Sequence, residues 1–313
     1  MKRFTPLVSN PHLLTIAAHF WPGGLDTRRF PVERKLYRTE PQVQIAVDEQ
    51  RPAGEPRGRV VIVHGLEGSS RSGYMLSMAR AALEAGFEAH RVNLRSCGGA
   101  EALSRGGYHS GLTSDLHEIV RRLAPVFVVG FSLGGNLALK LAGELGETSL
   151  IRGVCAVSTP IELAACVNRL EQPQNRIYHA RFLRRLKRRA RAIARAHPGL
   201  IALDGLDSVR SLREFDDRYT ARWFGFRDAA DYYDTQSCRR FLDRVRVPAL
   251  LIQAQDDPVI PFEIFQCAEL RGNPAIELLA PAHGGHVGFI SRRRPRFWSD
   301  QAAMEWIASL AKR

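Results

Sequence analysis

Short apolar runs alternate with stretches of helical periodicity through most of this 313-residue chain. Runs rich in β-branched residues predict buried strands, and apolar residues repeating every three or four positions predict helices. Strands are predicted near residues 32–37, 43–47, 59–63, 88–93, 126–129, 153–158, 249–254 and 276–279. Helices are predicted near residues 73–85, 114–123 and 136–142. This alternation predicts an α/β fold with a mostly parallel central sheet flanked by helices.

The alternation stops after Pro160 and resumes near Pro248. The sequence between them is typical of helices and loops rather than of strands. We therefore predict a core of residues 1–158 and 246–313, with an inserted helical cap of residues 159–245 over the C-terminal edge of the sheet. A cap in this position would shape a pocket and exclude water from a reacting group.

A Gly-Phe-Ser-Leu-Gly pentapeptide at residues 130–134 joins a predicted strand to a predicted helix. A sharp turn between two such elements leaves the central serine, Ser132, at its tip in a strained geometry, and the glycines avoid collisions with neighbouring elements. A serine hydroxyl is a poor nucleophile near neutral pH unless a base takes its proton. The pattern therefore predicts a catalytic nucleophile at Ser132 and requires a base and an acid elsewhere in the chain.

Candidates for both follow later strands, at the same sheet edge as Ser132. Asp257 is favoured as the acid because Asp-Pro-x-x-Pro is a common acid loop, although Asp256 is an alternative that could instead begin the turn. His286 is favoured as the base because a Gly-His step followed by an apolar segment is the usual base loop. His283 is the alternative, or a solvated loop residue.

An acyl-transfer site also needs N–H donors for the developing oxyanion. The loop at residues 64–70, His-Gly-Leu-Glu-Gly-Ser-Ser, follows the third predicted strand, and its glycines let the backbone curl towards Ser132. We assign the two donors to the backbone N–H groups of Leu66 and Leu133. Chemistry of this kind requires no metal or organic cofactor.

Seven segments match one family in the right order along nearly the whole chain: residues 10–15, 64–70, 130–136, 214–216, 231–233, 256–258 and 284–289. In them the chain resembles a group of bacterial hydrolases related to the eukaryotic α/β-hydrolase-domain lipases and to the medium-chain ester synthases and esterases. The resemblance implies the α/β-hydrolase fold and a serine carboxylic-ester hydrolase. It also implies that some relatives act on lipids or transfer acyl groups to alcohols. Glu67 departs from the threonine that is more usual there.

Composition places the chain among ordinary globular proteins, with 45% hydrophobic and 25% charged residues. Five cysteines without paired spacing argue against a disulfide framework and favour a reducing compartment. Met1-Lys2-Arg3 and the apolar residues after it resemble the start of a signal peptide, but the polar residues 9–12 interrupt the apolar region. No run approaches the roughly 20 apolar residues of a membrane span. We therefore predict a cytoplasmic protein.

Much of the formal net charge of +13 lies in one segment, because nine basic residues and no acidic ones occur between Arg176 and Arg195. The segment has helical spacing, with an apolar face formed by Phe182, Leu186, Ala190 and Ile193. The favoured interpretation is a cap helix with a solvated basic face. The alternatives are weak attraction to anionic membrane surfaces or acidic lipids, and nucleic-acid binding. No recognition motif supports the last, so no nucleic-acid partner is expected.

Together these residues predict an enzyme that hydrolyses small-molecule acyl esters of short to medium chain length, or lipids, through the triad Ser132, His286 and Asp257 and an acyl-enzyme. Acyl transfer to an alcohol would use the same residues, and hydrolysis of thioesters or amides also remains open. An alternative from a different functional class is a non-catalytic binding protein with a hydrolase fold that binds its partner through the basic helix. The sequence does not indicate the natural substrate or the oligomeric state.

Overall fold

The computed structural model describes residues 4–312, so Met1, Lys2, Arg3 and Arg313 lie outside it, together with the basic start of the signal-like segment. Within that range one eight-stranded sheet has the order β1-β2-β4-β3-β5-β6-β7-β8. The strands are β1 (Glu33–Glu40), β2 (Val43–Gln50), β3 (Arg59–Val63), β4 (Glu88–Val92), β5 (Val126–Phe131), β6 (Ile151–Val157), β7 (Ala249–Ile252) and β8 (Ile276–Leu279). Strand β2 runs antiparallel to β1 and β4, and the other neighbouring pairs are parallel. The predicted mostly parallel α/β sheet is confirmed.

Eleven α-helices lie between and around these strands in residues 4–312. They are α1 (Pro11–Phe20), α2 (Gly73–Glu84), α3 (Ser114–Leu123), α4 (Leu133–Leu145), α5 (Leu163–Leu170), α6 (Arg176–Ala196), α7 (Leu212–Phe215), α8 (Ala221–Phe224), α9 (Ala229–Gln236), α10 (Ala268–Arg271) and α11 (Trp298–Leu310).

Helices cover both faces of the sheet. Successive side chains of a strand point to opposite faces, so a strand of consecutive apolar residues needs a covering layer on each side. In β3, Val61 and Val63 pack in one apolar cluster with residues of α3 and α4. Val60 and Ile62 pack in a second cluster, with residues of α2 and α11. All six residues of β5 are buried, as expected of a central strand covered on both sides.

The chain between β6 and β7 forms helices and turns, and α6 includes the whole predicted basic segment. Two of the family segments meet here, since the Tyr233 hydroxyl donates to Asp216 over 2.6 Å. The Ala229 N–H donates to the neighbouring carboxylate of Asp217, also over 2.6 Å. These contacts hold α9 against the preceding helical turns. The division into a core of residues 1–158 and 246–313 and a cap of residues 159–245 stays a prediction.

All five cysteines are buried and none forms a disulfide. Across residues 4–312 there is no helix with both the length and the apolar composition needed to cross a membrane.

Candidate active site

The predicted site residues meet because the loops that hold them leave neighbouring parallel strands. Val63 at the end of β3 pairs with Gly130 in β5, so the loop after β3 lies beside Ser132. Ile252 at the end of β7 pairs with Leu279 at the end of β8, which places the acid loop beside the histidine loop. The candidate site residues therefore all lie at the edge of the sheet where the parallel strands end.

Ser132 lies on the turn between β5 and α4 with φ 51° and ψ −120°. Positive φ is unusual for a residue with a side chain and marks local strain. Neighbouring glycines make the turn possible, because a Cβ on Gly130 would lie 2.2 Å from the Gly134 carbonyl oxygen. A Cβ on Gly134 would lie 2.4 Å from the carbonyl oxygen of Val63. The structure thus has the strand–turn–helix arrangement that the pentapeptide predicts.

His286 lies between Ser132 and Asp257. Its Nε2 is 3.1 Å from Ser132 Oγ, and its Nδ1 is 3.0 Å from Asp257 Oδ2. The Asp257 side chain is fully buried, and its Oδ1 accepts backbone N–H groups from Val259 and Ile260 at 2.8 and 3.0 Å. These donors fix the carboxylate so that its other oxygen faces the imidazole.

Asp256 and His283 form a separate pair on the outside of the same loops. Asp256 Oδ2 is 3.0 Å from His283 Nδ1, and Oδ1 accepts the Gly285 N–H over 2.9 Å. His283 is exposed. The structure therefore brings Asp257 and His286 to Ser132 and places the alternative residues of each pair away from it.

The N-terminal helix α1, which sequence reasoning missed, supports the histidine loop. Thr15 Oγ1 accepts the backbone N–H of His286 over 2.9 Å and donates its own hydrogen to the Pro11 carbonyl over 2.7 Å. A Cβ on Gly285 would lie 2.5 Å from that carbonyl oxygen, so α1 and the loop are in close contact. Asn10 caps the helix by accepting the Leu13 N–H, and an Asn-Pro step is a helix-start signal that could have revealed it.

The loop after β3 approaches the serine closely. A Cβ on Gly65 would lie 3.0 Å from Ser132 Cβ, which explains why a glycine is needed there. The N–H groups of Leu66 and Leu133, on the two loops that flank the serine, donate to no protein group within residues 4–312. Both N–H groups therefore remain candidates for the oxyanion donors, and their assignment stays a prediction.

The buried side chain of His64 contacts the backbone of this loop. Burial lowers the pKa of His64 to about 4, so the imidazole is neutral near pH 7. Its Nδ1 donates to the Gly65 carbonyl over 2.8 Å, and its Nε2 accepts the Leu94 N–H over 3.1 Å. The ring thus connects the loop to the chain after β4 without adding charge.

Glu67, the residue that departs from the family pattern, forms a buried ion pair with Arg189 of α6. The two side chains are joined by hydrogen bonds of 2.6 and 3.1 Å, and their exposed fractions are 4% and 13%. Glu67 also has a positive φ of 59°. Arg189 donates further to the Ser96 carbonyl over 2.6 Å and lies over the ring of Tyr108. The basic helix is therefore anchored directly to the loop beside Ser132.

This contact corrects the prediction of a solvated basic face on α6. Arg184, Arg188 and Arg195 are exposed, whereas Arg189 is largely buried. Arg181, Arg185 and Arg189, four residues apart, line a cavity that also contacts Ser132. The prediction was wrong there because a long helix has a flank between its buried and exposed faces, and this flank borders the cavity. The spacing of four residues between Arg181, Arg185 and Arg189 was the sequence signal that could have indicated this shared flank.

Two cavities meet at Ser132. The larger is about 640 Å³, open to solvent, and lined by residues of α1, α6 and the loops after β3 and β4. The smaller is about 120 Å³ and mostly apolar. Its lining includes Cys166, Phe182, Leu186, Ile193, Trp223 and Phe224. Ser132 thus borders both a small, mostly apolar compartment and a larger one whose lining mixes apolar, polar and basic groups.

Within residues 4–312 no group of three or more His, Cys, Asp or Glu side chains is arranged to hold a metal ion. The described side chains place a hydroxyl, an imidazole and a buried carboxylate in a hydrogen-bonded series, in which Ser132 can pass its proton to His286 while Asp257 orients the ring.

Comparison with known proteins agrees with this architecture. A sequence-family model described as "alpha/beta hydrolase fold" matches residues 58–292. The chain is 35% identical to "Putative esterase YheT" of Escherichia coli over 277 residues, which cover 85% of this chain and 81% of that protein. It is 30% identical to "Phospholipase ABHD3" of Mus musculus over 247 residues, 77% of this chain and 60% of that protein. The esterase Pf2001 of Pyrococcus furiosus superposes with a TM-score of 0.60 and 18% identity, over 92% of this chain and 97% of that one, and shows the fold alone.

Proposed function

We propose that this chain cleaves acyl esters through an acyl-enzyme on Ser132. The chain belongs to the α/β-hydrolase fold family and is a carboxylic ester hydrolase. The observation that supports this most is the hydrogen-bonded series Ser132–His286–Asp257, with distances of 3.1 and 3.0 Å. A hydroxyl, an imidazole and a buried carboxylate in this geometry form an activated nucleophile.

In the proposed reaction, Ser132 Oγ attacks the ester carbonyl carbon while His286 Nε2 takes the hydroxyl proton. Asp257 holds the imidazole in the required tautomer and stabilises its positive charge. The N–H groups of Leu66 and Leu133 donate to the oxyanion of the tetrahedral intermediate. His286 then protonates the leaving alcohol. Water, activated in the same way, attacks the acyl group and releases the acid and the free serine.

The two cavities suggest how an ester is oriented. The small cavity is enclosed largely by aliphatic and aromatic side chains, so we place the acyl chain there. The larger cavity opens to solvent and is rich in polar and basic groups, so we place the alcohol moiety in it. A small acyl compartment favours short and medium chains over long ones.

The experiment is a turnover screen with p-nitrophenyl esters from acetyl to palmitoyl, using the wild-type chain and the Ser132→Ala variant. We expect kcat/KM to peak between butyryl and octanoyl, to fall for palmitoyl, and to be lost in the variant. Trp223→Ala enlarges the small cavity and should move the optimum to longer chains. Equal activity of the wild-type chain and the Ser132→Ala variant would contradict the proposal.

A further inference from the structure

The larger cavity has an unusual excess of positive charge. Five arginines line it, against two glutamates: Arg71, Arg181, Arg185, Arg188 and Arg189, with Glu67 and Glu101. One arginine and one glutamate of this set, Arg189 and Glu67, neutralise each other in the buried ion pair. The remaining lining is therefore strongly basic.

The other four guanidinium groups have no carboxylate partner in residues 4–312. Arg181 lies 2.6 Å from His19 Nε2, and Arg185 donates to the backbone carbonyl of Glu67 over 3.2 Å. Among the residues that the structure describes, the side chains of Arg71 and Arg188 form no ion pair. Some surface arginines elsewhere in the described residues do have acidic partners, as Arg121, Arg218 and Arg240 show. The cavity therefore groups four arginines that lack a carboxylate partner in the described residues.

The positive charges also affect the pKa values of two groups that line the cavity, His19 and Arg181. The pKa of His19 is lowered by burial and by the charges of Arg181 and Arg185. The pKa of Arg181 is itself lowered by burial and by Arg185. An anion bound among these side chains would relieve the repulsion and find donors already oriented towards the cavity.

We propose that the larger cavity is a subsite for an oxyanion, a carboxylate or a phosphate, on the alcohol moiety of the ester. The proposal rests on the function proposed above, because it places the alcohol in this cavity. The contact between Arg185 and the Glu67 carbonyl places one guanidinium group on the loop after β3, in the cavity that Ser132 also lines. Planar guanidinium groups suit carboxylates and phosphates because they can donate two parallel hydrogen bonds.

The test compares pairs of soluble esters that differ only in the anionic group. One pair is 1-butyrylglycerol 3-phosphate and 1-butyrylglycerol; the other is 4-butyryloxybenzoate and 4-butyryloxybenzamide. Each kcat/KM is divided by the rate constant of uncatalysed hydrolysis of the same ester. For the wild-type chain we expect the anionic member to be preferred by about tenfold or more, the effect of one or two charge-assisted hydrogen bonds. The preference should fall as NaCl is added, because salt screens the charges.

Variants show whether the arginines are responsible. Arg181→Gln together with Arg185→Gln should bring the preference close to one, whereas Arg185→Lys should keep part of it. Arg184→Gln is the matched control, since Arg184 is exposed on α6 and lines neither cavity. It should retain the wild-type preference. An unchanged preference in the double variant would overturn the proposal.

The outcomes separate this proposal from the one on which it rests. Hydrolysis of neutral esters without any preference for anionic ones overturns the subsite and leaves ester hydrolysis intact. No hydrolysis of either member overturns both. Ile16 and Phe20 are exposed at the cavity mouth, so a lipid surface has to be distinguished from a bound anion. A preference seen only for esters in vesicles containing phosphatidylglycerol, and absent for the soluble pairs, would overturn the subsite in favour of surface attachment.

Discussion

Asp256 and Asp257 are neighbours in the chain but lie in opposite surroundings. Asp257 is buried and faces His286, whereas Asp256 faces the exposed His283 and the Gly285 N–H. Asp257→Asn should lower kcat by about 10⁴-fold, because an amide can neither select the tautomer nor stabilise the imidazolium. Asp256→Asn keeps an oxygen for the Gly285 N–H and should lower kcat by less than about tenfold.

Steady-state kinetics of the two purified variants with p-nitrophenyl butyrate is the measurement. Thermal unfolding of each serves as the control for folding. If Asp256→Asn were the more damaging change, the roles assigned to the two carboxylates would have to be exchanged.

At the residue scale, local motifs predict the groups that the structure brings together at Ser132. The serine, the histidine and the acid each lie in a short pattern whose spacing is visible in the sequence. Thr15 and Arg189 are different, because their roles depend on contacts with residues 271 and 122 positions away. No local pattern encodes such contacts.

At the scale of elements, the central feature is the attachment of α6 to the loop after β3 through Arg189 and Glu67. Removing one partner of a buried ion pair leaves the other charge uncompensated. Arg189→Met should therefore lower the free energy of unfolding by about 3–5 kcal/mol, measured by urea denaturation. Adding Glu67→Gln to this variant should restore part of the loss, since the buried charge is then removed.

Arg184→Met on the exposed side of the same helix is the control, and should change stability by no more than about 0.5 kcal/mol. Equal effects of Arg184→Met and Arg189→Met would show that the ion pair contributes no more than a surface arginine.

Elements with strong periodicity were predicted most accurately. The bounds of β3 and α3 match those predicted from the sequence, because apolar periodicity and turn residues agree there. Helix α1 was missed, since Leu13, Ile16 and Phe20 remain exposed and its apolar residues do not mark one buried face. Packing against the core determines which flank of α6 faces the cavity. The apolar periodicity therefore predicted the helix, but it did not predict the surroundings of the arginines on it.

At the scale of the whole molecule, one buried carboxylate should make stability depend on pH. Asp300 of α11 is buried against α2, where the Ser77 hydroxyl donates to its carboxylate over 2.5 Å. Burial raises the pKa of Asp300 to about 7. A raised pKa means that the folded state favours the protonated form. The stability contributed by that form is present below about pH 4 and lost as the pH rises towards 7.

Asp300→Asn cannot ionise and avoids this loss. Relative to the wild-type chain, its free energy of unfolding should increase between pH 5 and pH 8 by about 3 kcal/mol, because about two pH units of that window lie below the raised pKa and each is worth about 1.4 kcal/mol. Urea denaturation at several pH values gives this difference, with the exposed Asp243→Asn as the control. A difference that stays constant over the range would refute the titration of Asp300.

The central claim is that Ser132 is the nucleophile of an ester hydrolase. Labelling with a fluorophosphonate, followed by intact mass and peptide mapping, tests it most directly, because such probes react with activated serines. We predict one adduct per chain, located on Ser132, and no adduct on Ser132→Ala or on His286→Ala. The Ser132→Ala variant should also lose turnover by a factor on the order of 10⁴ or more while keeping its thermal stability. An adduct on another residue, or undiminished turnover in the Ser132→Ala variant, would contradict the account.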